Sequence, residues 1–389
     1  MPRGIITSSF RGREGTEYVI FDGEKYYRAV SRERFRTGDS VELRDGKLFS
    51  LSESVRPKVK ERFLSGLKVD LELPDEIAFL RGNFEVLWKE LAFLKVTGET
   101  PQVFYDNDAD GIIAALLIKK ALGLSDRAFS TISHWTLREA QIWLSDAPLY
   151  LLLDVGSDWR DRPGLFLLSS YGPTFVVDHH YAEKQHGFGV VINPALHSPE
   201  LSKYNTATLV SYLVKSWVEK PEWGRIAAAG DKSSVIEWGE EDRKKALALE
   251  MSQAIRADLR LAEQILETDL WKTYYELFRM KVEMALENAE MEEKEINGKR
   301  ALIVKLSYTP NYPHKGKIAS CLMDERGYDI VIVTDAEKSF RYTVTMRGKG
   351  DLLSMVKNLG AAEYWGHPNA VSLSTTEPER VIQQILERL

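Results

Sequence analysis

Between residues 102 and 239, short apolar runs alternate with helical patterns, and that alternation most restricts what the chain can fold into. The apolar runs are 102–105, 149–154, 174–178 and 189–193, and helical patterns occupy 111–122, 205–218 and 223–229. Runs that are apolar throughout, rather than at every second position, suit strands buried on both faces. Strands of that kind, separated by helices, argue a parallel α/β sheet. Three of the runs end in carboxylates: Asp106-Asn107-Asp108, Asp154 and Asp178. Functional groups of open α/β sheets gather at the carboxyl ends of their strands.

The flanking segments differ in character. Residues 1–56 hold short β-prone runs at 4–8, 18–21, 26–30, 40–43 and 48–51, with Asp22-Gly23 and Asp45-Gly46 as hairpin signals. They predict a small antiparallel, OB-like β-barrel. The chain of 389 residues carries a net charge of −6, which by itself argues against a phosphate binder. The charge is unevenly spread. Residues 1–60 contain 13 Lys+Arg against 9 Asp+Glu, and the remainder 39 against 49. The basic module suits contact with nucleic acid, or equally a packing or assembly role.

Residues 57–96 read as helical, with Leu80, Phe84, Leu87, Leu91 and Leu94 at three- and four-residue spacing. Residues 240–296 are charged and helical without a sustained heptad, which predicts a helical connector. Residues 297–389 predict a smaller second α/β domain, with strands at 301–306, 330–334, 340–346 and 370–374. Helices are expected near 352–359 and from Pro378. The expected division is therefore a barrel (1–56), a catalytic domain with a leading helix (57–239), the connector (240–296) and a terminal domain (297–389). One cysteine, Cys321, excludes a disulfide framework and a cysteine-rich zinc site. No run approaches the roughly 20 apolar residues of a membrane span, and Met1-Pro2-Arg3-Gly4 lacks the apolar stretch of a signal peptide. A cytoplasmic protein is expected.

Four motifs carry chemistry. In Asp106-Asn107-Asp108-Ala109-Asp110-Gly111, alternate carboxylates at a strand end can converge on a cation, and Gly111 permits a tight passage into the next helix. Asp154 ends an apolar strand, where a carboxylate is expensive to bury unless paired or coordinated. Asp178-His179-His180 caps another strand and mixes imidazole with carboxylate, a donor set for Mn²⁺, Fe²⁺ or Zn²⁺. Asp231 follows Ala227-Ala228-Ala229-Gly230. Taken singly, each has a plainer reading as a solvated turn or surface pair.

Together the four motifs resemble the DHH phosphoesterase superfamily, which orders an Asp-x-Asp cluster, a strand-end Asp, the Asp-His-His triplet and a final Asp. The resemblance implies two Mn²⁺ (or Mg²⁺) ions. Asp108 and Asp110 would ligate one metal each, Asp154 would bridge them, and His179 and Asp231 would complete the second site. His180 would contact the phosphate or assist proton transfer, and Asp178 would orient the histidines. Many members carry a histidine four residues before the first Asp of the pair. Phe104 stands there in this chain, and the resemblance implies that Asp106 would replace that histidine as ligand, as in members with an acid two residues before the pair.

The terminal segment is similar to the DHHA1 domain that accompanies many DHH domains. Residues 340–347 resemble the strand that delivers a substrate-binding arginine, here Arg347. Gly366-His367-Pro368-Asn369-Ala370 resembles a glycine-rich substrate loop, with Ala361 to Trp365 where glycines are usual. Arg347, Gly366 and His367 are the expected substrate contacts. The whole is most similar to archaeal RecJ-type exonucleases such as the Hef-associated nuclease. That implies hydrolysis of single-stranded DNA or RNA in replication or repair, a partner such as the Hef helicase/nuclease, and a homo-oligomer. Two alternatives stay open: a phosphodiesterase or phosphatase of short oligonucleotides or small nucleotides, and a weakly catalytic scaffold subunit of a replication or repair complex.

Overall fold

The computed structural model describes residues 2–11, 15–132, 147–157, 161–182, 187–308, 312–335, 342–357, 359, 363–367 and 369–389. The chain forms two compact units, Met1–Glu237 and Trp238–Leu389. Among the described residues no helix is long and apolar enough to cross a membrane.

The first unit begins with five antiparallel strands: β1 (Arg3–Arg11), β2 (Thr16–Phe21), β3 (Tyr26–Ser31), β4 (Ser40–Arg44) and β5 (Lys47–Ser50). Their order is β3-β2-β1-β4-β5, and the outer strands β3 and β5 approach each other, curling the sheet into a barrel. Ile6, Tyr18, Ile20, Ala29, Val41 and Leu48 fill it. Asp45 and Gly46 both have positive φ, 46° and 78°, which is the primed turn their pairing predicts between β4 and β5.

The expected helical stretch at 57–96 is interrupted. Helix α1 (Arg56–Ser65) ends at Gly66, and α2 (Arg81–Thr97) begins only after a short 3₁₀ turn, Asp75–Leu80. Gly66 closes α1 by donating to the Phe63 carbonyl, and Pro74 holds the chain extended before the turn. Leucine spacing alone did not reveal this break. In α2 the spacing does report burial: Phe84, Leu87, Leu91 and Leu94 are all interior.

The parallel sheet is assembled from β6 (Gln102–Tyr105), β7 (Phe129–Thr131), β8 (Tyr150–Leu153), β9 (Thr174–Val177) and β10 (Val190–Ile192), in the order β10-β9-β8-β6-β7. All four pairings are parallel. Helices α3 (Ala109–Leu122), α4 (Arg162–Tyr171), α5 (Thr206–Val214) and α6 (Pro221–Asp231) accompany it. The short strand β7 and helix α4 were not legible as elements. From β6 the chain moves outward to β7, then returns past β6 to β8 and continues to β9. The crevice beyond the adjacent ends of β6 and β8 is therefore the switch point of the sheet, where α/β folds bind ligands.

The second unit opens with α7 (Glu240–Ile255), α8 (Leu259–Glu267) and α9 (Leu270–Leu286). A mixed sheet follows: β11 (Glu290–Ile296), β12 (Lys299–Leu306), β13 (Ile330–Asp335), β14 (Tyr342–Gly348), β15 (Glu363–His367) and β16 (Ala370–Thr375), in the order β11-β12-β13-β14-β16-β15. Helices α10 (Lys315–Arg326), α11 (Leu352–Lys357) and α12 (Pro378–Leu386) pack against it. Two expectations change here. Residues 290–296, read as the end of the helical connector, form edge strand β11, paired with β12 through the Asn297-Gly298 turn. Its glutamates favour helix locally, but hydrogen bonding to β12 outweighs that preference, and charge on an edge strand discourages further pairing. Gly366 and His367, read within a loop, lie in β15 of a hairpin with β16.

Candidate metal centre

The ends of the parallel strands bring carboxylates together. Asp106, Asp154 and Asp178 each follow directly on β6, β8 and β9, and each continues the ladder. Asp106 donates its N–H to Leu153 O at 3.1 Å, Asp154 to Val177 O at 2.9 Å and Asp178 to Ile192 O at 3.0 Å. Neighbouring strands lie about 4.8 Å apart, so three acids at one level must crowd.

Helix starts supply the rest. Asp108 caps α3, its Oδ1 accepting from the N–H groups of Asp110 and Gly111 at 3.1 Å each. Gly111 is required there, because a Cβ would fall 2.4 Å from the Asp106 carbonyl oxygen. Asp110, fully buried, faces the start of α5 and accepts from Thr206 N at 2.7 Å and Ala207 N at 2.8 Å. The positive end of α5 thus faces a carboxylate. Asp231 is the last residue of α6 and lies 3.5 Å from His179 Nε2.

The two histidines are held differently. His179 Nδ1 donates to the Ser202 carbonyl at 2.7 Å, which leaves Nε2 facing Asp154 Oδ1 at 3.4 Å and Asp110 Oδ2 at 3.8 Å. An imidazole fixed by its far nitrogen is how proteins present a metal ligand. His180 Nδ1 donates to Asp178 Oδ1 at 2.8 Å, and its side chain is the more exposed of the two. Asp178 also accepts the backbone N–H groups of His179, His180 and Ser157. Its role in the geometry is to brace the histidines.

Asp154 sits at the centre. It is fully buried and holds a left-handed backbone, φ 66°, which costs a non-glycine residue about 1 kcal/mol or more. Its Oδ1 accepts from Thr206 Oγ1 at 3.0 Å, while its buried Oδ2 has no hydrogen-bond partner among the described residues. Burial first, and then the charges of Asp108 and Asp110, push its carboxyl well above the usual range. Burial and Asp231 do the same to Asp110. Burial also opposes ionisation of Asp178, but His180 and His179 outweigh it and hold that carboxyl far below the usual range. Burial would lower His179; Asp231 and Asp110 overcome it and push the imidazole up to about 9.

The cluster thus gathers the carboxylates of Asp106, Asp108, Asp110, Asp154, Asp178 and Asp231 around two imidazoles. Ligand atoms lie within 4.8 Å of one another in three sets: Asp106, Asp108 and Asp154; Asp110, His179 and Asp231; and Asp154, His179 and His180. Asp154 belongs to both an all-carboxylate set and a set with imidazole donors, and such a mixture fits divalent cations of the Mn²⁺ type.

The remaining expected contacts lie in the second unit. Arg347 of β14 and His367 of β15 both pair with Ala370 of β16, so their backbones share one row of that sheet, with Gly366 beside it. Gly366 has φ 127°, and a Cβ there would meet the Ala370 carbonyl oxygen at 2.0 Å. Residues 340–341 and Pro368 lie outside the described residues. Around the metal centre, Thr206, Ser202, Ser157 and Asn193 were not anticipated. Asn193 Nδ2 donates to the His180 carbonyl at 2.9 Å and to Ser157 Oγ at 2.8 Å. Only Asn205-Thr206 carried a signal, as a helix N-cap, and Asn205 does cap α5 through Thr208 N at 3.1 Å.

A solved structure described as the DHH domain of a member of a family of ribosomal proteins superposes with a TM-score of 0.66. The match covers 86% of this chain and 97% of that one, at 16% identity. The chain has the DHH-domain fold. RecJ from Thermus thermophilus, solved in complex with Mn²⁺, aligns at a TM-score of 0.49 and 19% identity over 82% of this chain and 55% of its own. An exopolyphosphatase-related protein from Bacteroides fragilis aligns at 0.48 and 14% identity, over 79% and 96%. No family model and no curated protein matches the sequence. In this DHH fold the carboxylate and imidazole cluster occupies the switch point of the sheet.

Proposed function

We propose that the chain is a metal-dependent phosphoesterase that hydrolyses phosphodiester bonds of single-stranded DNA or RNA from an end, in replication or repair. The observation that carries this reading is buried Asp154, held in a left-handed conformation with one carboxylate oxygen unpartnered among the described residues, and grouped with Asp106 and Asp108 on one side and with His179 and His180 on the other.

Two Mn²⁺ (or Mg²⁺) ions suit the donor sets. Asp106, Asp108 and Asp154 would hold one, and Asp154, Asp110, His179 and Asp231 the other. Bound there, such ions lower the pKa of water and offset charge on the phosphate. The residues themselves do the positioning. Ser202 fixes His179 with Nε2 inward, and the α5 N-terminus holds Asp110 in one orientation. Asp178 keeps a proton on His180 Nδ1, which leaves Nε2 of that ring to exchange a proton with the leaving oxygen or contact the phosphate.

Arg347 supports a phosphate-bearing substrate. It is half-buried and makes no ion pair among the described residues; its Nη1 donates to the Met346 carbonyl at 3.1 Å. Burial and then the charge of Arg243 lower it to about 10. A guanidinium lacking a carboxylate is suited to a phosphate.

A time course on end-labelled single-stranded DNA and RNA with Mn²⁺ tests the proposal. Loss of terminal nucleotides that disappears in Asp154→Ala and His179→Ala is the expected result. Retained Mn²⁺-dependent hydrolysis in both variants would overturn it.

A further inference from the structure

The outer face of the barrel is only half covered. Toward one end, Ile5 and Phe21 pack against Val59 of α1 and Phe93 of α2. Toward the other end, strand register places two further rows on that same face. Phe10, Glu17 and Val30 lie opposite one another, and so do Ser8, Val19 and Arg28. Phe10 is 60% and Val30 52% exposed, so no described residue covers them. Large apolar side chains rarely stand together on an uncovered sheet without a partner.

The surroundings are basic. Glu17 is the one acid in the two rows, and Arg28 already faces it at 3.4 Å. Arg11 ends β1 and Arg32 follows β3, both exposed, and neither forms an ion pair among the described residues. Arg11 pairs with Thr16, and Thr16 with Ser31, one row beyond Phe10 and Val30, so the strand ends that carry Arg11 and Arg32 border the apolar patch. Arg34 and Arg36 continue in the loop that crosses the barrel end, where Phe35 is anchored by its N–H donating to Tyr18 Oη at 3.2 Å. An apolar surface with one exposed aromatic ring, bordered by arginines, complements a chain of bases and phosphates. It does not suit a neutral apolar peptide.

The topology agrees. Strand neighbours β1-β2, β2-β3, β1-β4 and β4-β5, with β3 beside β5, are those of the OB barrel. Barrels of that type bind oligonucleotides on the face of strands 2 and 3.

We propose that the face formed by Phe10, Val19, Arg28 and Val30, with Arg11 and Arg32 at its margin, is a docking surface for single-stranded nucleic acid. A base stacks on Phe10, and the arginines take the flanking phosphates. The surface would hold polymer substrates outside the metal centre, so its value to catalysis rests on the hydrolytic reading, whereas its binding of nucleic acid does not.

The test uses the full chain with metal chelated, so that binding is read without cleavage. Fluorescence anisotropy of labelled dT20 and rU20 is measured for the wild type, Phe10→Ala/Arg28→Ala and Glu17→Gln. The double variant is expected to bind at least about tenfold more weakly, with an unchanged circular dichroism melt. Glu17→Gln removes the only acid of the two rows and is expected to bind more tightly, most clearly at low salt. With Mn²⁺ present, the double variant should lose rate on a 20-mer and keep its rate on a dinucleotide. Binding of both oligonucleotides unchanged in a folded double variant would overturn the proposal, as would weaker binding by Glu17→Gln. Absence of hydrolysis in the wild type, with anisotropy behaving as expected, would refute the proposed function and leave the docking surface standing.

Discussion

Asp154→Asn separates a metal ligand from a structural aspartate. The substitution keeps shape and removes charge. In the metal-free protein Asp154 is fully buried, surrounded by other acids, and its carboxyl is raised well above the usual range. A carboxyl raised in the folded state costs stability once pH exceeds its unfolded value, so at pH 8 Asp154 opposes folding whichever form it takes. The Thr206 hydroxyl at 3.0 Å and His179 at 3.4 Å offset part of that cost. The remainder is on the order of 2 kcal/mol, below the full penalty of an uncompensated buried charge. The neutral amide relieves it. The chelated variant should therefore melt about 4–8 °C above the chelated wild type, given the usual entropy of a unit this size. Mn²⁺ at about 100 times its Kd should raise the wild type by about 2.7 kcal/mol, and the variant by much less. Differential scanning calorimetry with chelator and with Mn²⁺ gives all four melts. A variant less stable than wild type in chelator and fully stabilised by Mn²⁺ would show that Asp154 braces Thr206 and holds no metal.

Three further outcomes follow from the same geometry. Metal binding should release protons, since His179 is pushed up to about 9 and must be neutral to ligate. The metal-free protein keeps that histidine's stabilisation below its ordinary value of 6.5 and loses it as pH rises through about 9, so the Mn²⁺-induced rise in melting temperature should grow across that window. Calorimetry in buffers of different ionisation enthalpy that showed no proton release would contradict this. Gly111→Ala should cost about 1–3 kcal/mol and weaken Mn²⁺ binding, because its Cβ displaces the Asp106 carbonyl lying 2.4 Å away; wild-type Mn²⁺ affinity would refute it. In the second unit, Glu250 is buried and accepts from Tyr312 Oη at 2.6 Å and Lys317 Nζ at 2.8 Å, so Glu250→Leu should destabilise by about 3 kcal/mol in urea melts, and an unchanged midpoint would refute that.

Much of the fold is readable where short-range pattern and burial agree. The runs at 102–105 and 174–178 are apolar because both faces of those strands are covered, and the structure places them as β6 and β9. Asp45-Gly46 needs only local backbone conformation, and the turn forms as its residues dictate. Legibility fails where a distant partner decides. Residues 290–296 prefer helix until β12 offers hydrogen bonds. Residues 363–367 become a strand only because β16 lies alongside. Helix α10 has too little apolar periodicity to declare itself.

The candidate site divides in the same way. Sequence alone determined which acids and histidines follow the strands of a parallel sheet, because strand ends can be read from hydrophobic runs. Only the tertiary structure decided how those groups meet. Strand order β10-β9-β8-β6-β7 sets β6 beside β8 and so Asp106 beside Asp154. The approach of α5 supplies Thr206 and the N–H groups that orient Asp110, and a carbonyl 23 residues distant, that of Ser202, turns His179 inward. Those partners are set by sheet order and helix packing, which depend on contacts far apart in the chain and leave no local mark on the sequence.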